Sequence, residues 1–162
     1  MDFRLTFTPD EPYYKEAYDE IVSSLKFKKY EPYFATTMVI IGFGLYVYDT
    51  NSILGMFPII FSLLGVYEFY KLYHEKKKWL KDRLDSKVLG QNIELVFNDS
   101  SIIHKGPFSN GEINWNGIKN IFKTPKGIII KPENGISIYL PDKFFKDKKQ
   151  IDFILTKKKN ST

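Results

Sequence analysis

Two histidines, His74 and His104, nineteen acidic side chains and twenty-four lysines and arginines are the groups in this 162-residue chain that could carry chemistry. A metal centre needs several His, Cys, Asp or Glu side chains at ligand spacing, and nucleophilic catalysis needs a nucleophile beside a base. His74 is alone in "KLYHEKKKW" and reads as an interfacial polar residue; His104, next to Lys105 in a short apolar run, reads as a rim residue. None of GxSxG, HExxH or a glycine-rich phosphate loop with its lysine occurs. The expectation is a protein that is not an enzyme, with no catalytic residue, no metal site and no cofactor. The lack of cysteine removes structural disulfides and thiolate ligands as well.

The lysines are the remaining candidates. Lys71, Lys76, Lys77, Lys78 and Lys81 crowd into one basic stretch and could meet anionic lipid headgroups, each contributing about 1 kcal/mol near such a surface. The alternative is an orientation signal on a solvated helix. Residues 88–162 hold twelve lysines against seven acids, a basic excess that closeness to an anionic leaflet accounts for. Nucleic acid is not expected as a partner, because the only arginines are Arg4 and Arg83 and no recognition module is legible.

These cations flank an apolar block. From Pro32 to Tyr67 the only charged residue is Asp49. The block divides into runs at about 32–48 and 53–73, joined by "DTNS" at Asp49–Ser52, and each run is at the short end of a membrane-crossing helix. Aromatic residues stand at the ends, as at membrane interfaces: Tyr30, Tyr33 and Phe34, then Tyr46 and Tyr48, then Tyr67, Tyr70 and Tyr73. The expected unit is a transmembrane hairpin over 32–73. Lysines precede the first run and follow the second, so both termini are expected to be cytoplasmic, in a cell-membrane protein with two spans whose partner is the lipid bilayer. Thirty residues of charged sequence precede the first run, which argues against a cleaved signal peptide. Gly42, Gly44, Gly55 and Gly65 are candidates for close helix approach, and Pro58 for a kink.

Residues 1–31 have elements of their own. Phe3, Leu5 and Phe7 alternate with polar residues, which predicts a strand. Thr8, Pro9 and Glu11 then suggest a capped helix start, and Tyr14, Tyr18, Ile21 and Leu25 recur along one helical face. A strand this short must pair with something, and the only candidate sheet is at the other end of the chain. Residues 74–90 read as a basic helix. Over 91–156 six short runs alternate with turn signals: 92–97, 101–105, 112–115, 118–123, 127–131 and 136–140. Such spacing predicts an antiparallel meander curled into a small barrel or sandwich, ended by Pro141 and capped by a helix over 148–158. Residues 157–162 are expected to be a disordered tail.

Trp115 with Ile118 and Ile121 behind it, ahead of two hairpin strands, and Pro141 with Phe145 after the last strand, resemble the YcxB-like family of bacterial membrane proteins. The resemblance implies an N-terminal strand and helix, a two-span hairpin and a C-terminal barrel similar to the pleckstrin-homology-like fold. It implies no particular activity. The residues themselves read as structural, an aromatic anchor and its neighbours in a barrel wall. The fold class expected is thus α+β, a transmembrane hairpin plus a small antiparallel β-barrel. The function expected is a non-enzymatic interaction module that holds the barrel at the inner membrane to bind a protein partner or its own copy. Lipid contact through the basic surface, or an accessory role in a transport, stress or immunity system, are the alternatives.

Overall fold

The computed structural model describes residues 2–25, 27–49 and 54–157. The chain divides into two units. Residues 1–24 and 82–162 form one, and residues 25–81 the other.

The first unit is built on seven strands in two antiparallel sheets. β1 (Phe3–Phe7), β2 (Ile93–Phe97), β3 (Ser101–Lys105) and β4 (Asn110–Asn114) form a four-stranded sheet in that order. β5 (Ile118–Lys123), β6 (Gly127–Pro132) and β7 (Ile138–Pro141) form a three-stranded one. The alternation at the start of the chain is realised: Phe3, Leu5 and Phe7 are buried, Arg4 and Thr6 exposed, and β1 pairs with β2 with Leu5 opposite Leu95. The N-terminal strand is thereby part of the same unit as the C-terminal sheets.

The inner faces of the sheets share one core, in which Leu5, Leu95, Phe97 and Ile102 meet Ile121, Ile128, Ile130 and Leu140. Burying each such side chain contributes about 1.5–3 kcal/mol. Of the barrel or sandwich that the strand spacing allows, the strands form two packed sheets, and the turn Trp115–Gly117 takes the chain from β4 in one to β5 in the other. β6 reads as a continuous apolar run rather than an alternating one because both its faces are covered. Gly127 at its start lies against the Leu140 carbonyl, where a side chain would have no room.

Two helices complete the unit. α1 (Glu11–Ser24) starts two residues later than Thr8 as cap would place it. Asp10 is the cap, its Oδ1 accepting from the Tyr13 amide at 2.8 Å, while the Thr8 hydroxyl donates to Asn92 Oδ1 at 2.6 Å. α4 (Lys148–Lys157) is where the sequence puts it, and Ile154 on it is fully buried in the core. Residues 158–162, most of the expected tail, lie outside the described residues.

The second unit contains α2 (Glu31–Tyr48) and most of α3 (Phe57–Leu84). They pack antiparallel: Gly42 lies against Pro58 and Ser62, and Gly65 against Ala35 and Val39. A Cβ on Gly65 would stand 2.9 Å from the Ala35 carbonyl oxygen, so the close approach depends on glycine. Gly44 and Gly55 face open space.

The transmembrane hairpin expected over 32–73 is not borne out. Among the described residues no helix is long and apolar enough to cross a membrane. α2 opens with Glu31 and Pro32 and includes Thr36, Thr37 and three tyrosines. α3 begins only at Phe57, and its uncharged part ends before Glu68, a length of about 16 Å against the roughly 30 Å of a hydrocarbon core. The span expected at 53–73 counted residues before Phe57 as helix; of the expected connection, residues 50–52 lie outside the described residues, as does 53. A two-span hairpin, and with it the cell-membrane placement with cytoplasmic termini, finds no support.

Candidate interaction surface

The exposed apolar side chains of the chain are concentrated on the second unit. Ile40, Phe43, Val47, Ile59, Leu63 and Val66 are between 46% and 66% exposed, values more typical of polar surface than of residues this large. The glycines fix which way these side chains point. Phe43 is one residue beyond Gly42 and Val66 one beyond Gly65, so each is rotated roughly 100° from the contact line. In an antiparallel pair equal rotations lead to the same side. The six residues recur at i, i+3, i+7 on α2 and i, i+4, i+7 on α3, the spacing at which helical side chains align along one face.

The opposite side is less uniform. It carries Phe34, Ile41, Tyr48, Phe57, Ile60 and Leu64; Thr37 interrupts it as Thr36 does the first side, and it also meets the bare backbone of Gly44 and ends at the charged Lys71.

At the end of the unit away from the α2–α3 connection, charge is organised into pairs. Lys28 Nζ donates to Glu75 Oε2 at 2.7 Å, and Lys71 Nζ to Glu68 Oε2 at 3.2 Å. The Glu68 hydrogen bond and charge, with Glu31 and Glu75 further off, raise the Lys71 pKa. The hydrogen bond from Lys28 lowers that of Glu75. Lys71, expected at lipid headgroups, is thus engaged by acids of its own unit, while Lys77, Lys78 and Lys81 are exposed and Lys76 is half-buried. The His74 ring stacks on Tyr70, with centroids 5.8 Å apart. Among the described residues no group of three or more acids or histidines is placed to hold a metal.

The residues that carried the resemblance all lie in the sheet unit, in structural positions. Trp115 is buried and its Nε1 donates to the Asn98 carbonyl at 2.9 Å; its ring meets Phe153 of α4 edge-on at 6.3 Å. Lys157 closes this corner, donating to the Asp99 carbonyl at 2.9 Å with its ammonium 4.7 Å from the Phe153 ring centre. Ile118 and Ile121 are buried core residues. Pro141 ends β7 opposite Gly127, and Phe145 packs on the core just before α4. His104 is half-buried on β3, opposite Gly111.

Residues 97–157 match a family model described as YcxB-like protein. This segment is YcxB-like. The YcxB-like segment begins at the last residue of β2 and ends with α4, so it takes in Trp115, Ile118, Ile121, Pro141 and Phe145 and leaves the helical hairpin outside the match. No curated protein and no solved structure matches the chain.

One site in this unit escaped sequence reasoning. Tyr139 on β7 is buried on the outer face of its sheet and donates to Glu16 Oε1 on α1 at 2.6 Å. Tyr13 of α1 donates to the Tyr139 carbonyl at 2.8 Å. Burial raises the pKa of both tyrosines, and at Tyr139 the Glu16 hydrogen bond and charge raise it further. Glu20, one turn after Glu16, is buried too. The available signal was the i, i+4 pair of glutamates on the helix that a buried sheet face needs as its cover.

Proposed function

We propose that this chain is a non-enzymatic interaction module. The α2–α3 hairpin is its docking element, and the YcxB-like segment belongs to a closed domain carried with it. Two sheets of four and three strands closed by a C-terminal helix support reading that domain as pleckstrin-homology-like. The observation that carries the proposal is the contrast between the units: large apolar side chains are buried in the sheet unit and exposed on both sides of the hairpin. Contiguous exposed apolar surface of this extent marks a binding face in a functional protein. The occupant is a protein partner or the chain's own copy.

A second reading, contact with a lipid surface, is favoured by exposed Lys77, Lys78 and Lys81 on the same helix as exposed Tyr70 and Tyr73. Sedimentation of the full chain over a range of concentrations, with flotation on phosphatidylglycerol vesicles at low and high salt, tests both. Self-association supports the first reading, and salt-sensitive flotation supports the second. A chain that stays monomeric and leaves vesicles alone contradicts both self-docking and lipid contact.

A further inference from the structure

We infer that the hairpin docks on a second copy of this chain through the face made by Ile40, Phe43, Val47, Ile59, Leu63 and Val66, giving a four-helix arrangement across a two-fold axis. The inference rests on the reading of the hairpin as a docking element and names its partner. Spacing is the first argument. A lipid phase needs only apolar area, whereas side chains at i, i+3 or i+4, and i+7 on two adjacent helices form the ridges that interlock with another helical pair.

Charge is the second. In an isologous contact each residue meets the same surface on its partner, so any net charge on the face would repel itself. This face has none: between Pro32 and Tyr67 the single charged residue is Asp49, whose carboxylate accepts from the Leu54 amide within its own chain. Area is the third. At the exposures observed, the six side chains with neighbouring Tyr70 offer on the order of 700 Å² per copy, close to the roughly 800 Å² per partner of a standard interface. The opposite face, gapped at the bare backbone of Gly44 and ended by the charged Lys71, is the poorer candidate.

The test uses the full chain. Wild type, Leu63→Glu and Phe43→Lys on the proposed face, and Leu64→Glu on the opposite one, are compared by sedimentation equilibrium, with far-ultraviolet circular dichroism to confirm equal helix content. The inference expects wild type and Leu64→Glu at twice the chain's 19.0 kDa and both face variants at the single-chain mass. These side chains stand mostly in solvent in a single copy, so their replacement leaves the hairpin's internal contacts in place. Persistence of the dimer in both face variants, or its loss in Leu64→Glu as well, overturns the inference. Wild type at the single-chain mass also overturns it, and vesicle flotation then separates two failures: a monomer that floats leaves the docking element standing with lipid as its occupant, and one that does not removes lipid as well as the second copy.

Discussion

Tyr13 and Tyr139 are 126 positions apart in the chain, and the hydroxyl of the first is 2.8 Å from the carbonyl oxygen of the second. The Tyr139 hydroxyl in turn reaches Glu16, so α1 is held on β7 by two hydrogen bonds that each use a phenol as donor. Both phenols lose their proton less readily in the fold than the ordinary tyrosine value of 10.0, chiefly through burial.

That displacement has a defined consequence in alkali. A group whose pKa is raised on folding adds stability that is complete below the unfolded value and is lost as pH rises above it. Urea unfolding should therefore show stability falling above about pH 10, by up to about 1.4 kcal/mol per pH unit for each tyrosine involved. Tyr139→Phe should make the fall shallower. An unchanged slope in Tyr139→Phe and in Tyr13→Phe would remove these residues as its source.

At the opposite end of the sheet unit, Lys157 and Trp115 fasten α4 to the β2–β3 turn. Trp115→Ala should cost about 3–5 kcal/mol, since it empties a core position and abandons the Asn98 carbonyl. Lys157→Ala should cost about 1 kcal/mol, through the lost bonds to Asp99 and the ring contact with Phe153. Chemical denaturation of each variant measures both, and the order of the two costs is the check.

Removing residues 1–8 should expose β2 as an edge. Hydrogen exchange should then speed up at alternate amides of Ile93–Phe97, which face β1, while the buried strand β6 changes less. Loss of Phe3, Leu5 and Phe7 from the core should lower stability as well. Undiminished protection along β2 would show that β1 is dispensable to the sheet.

In the hairpin, glycines at the helix contact and the α2 glycine facing open space should behave oppositely. Gly44→Ala faces open space and should stabilise α2 by about 0.5–1 kcal/mol. Gly42→Ala must displace the backbone at Ser62 and Pro58, and Gly65→Ala that at Ala35, so both should lower the thermal midpoint of the helical signal. Equal midpoints for Gly44→Ala and Gly65→Ala would contradict the close approach.

Much of the sheet unit was legible because its signals are local. Alternation at Phe3–Phe7 and the six short runs with their turn residues gave seven strands, and Ile151, Phe153, Ile154 and Leu155 marked α4. How those strands associate was less so: Trp115–Gly117 ends one sheet and leads to the other, a division that strand spacing does not carry. The helix cap moved from Thr8 to Asp10 because Thr8 has a partner 84 positions away at Asn92, which no local pattern announces.

The hairpin shows the limit from the other direction. Lack of charge from Pro32 to Tyr67 was read as two spans, but uncharged length is not helix length, and the helices stop at Tyr48 and resume at Phe57. Of the candidate site, the apolar spacing at Ile40, Phe43 and Val47 stands in the sequence. Which side of the pair it occupies follows only once Gly42 and Gly65 are known to mark the contact.

Because the chain has no cysteine, one introduced thiol can report directly on whether the proposed face is covered. In a single copy Leu63 is 62% exposed and Leu64 45%, so an uncovered hairpin should let a maleimide label Leu63→Cys at least as fast as Leu64→Cys. Docking through the Leu63 face predicts the reverse order in the full chain, with the protection of Leu63→Cys disappearing on dilution. Labelling of Leu63→Cys that is the faster at every concentration would contradict the account.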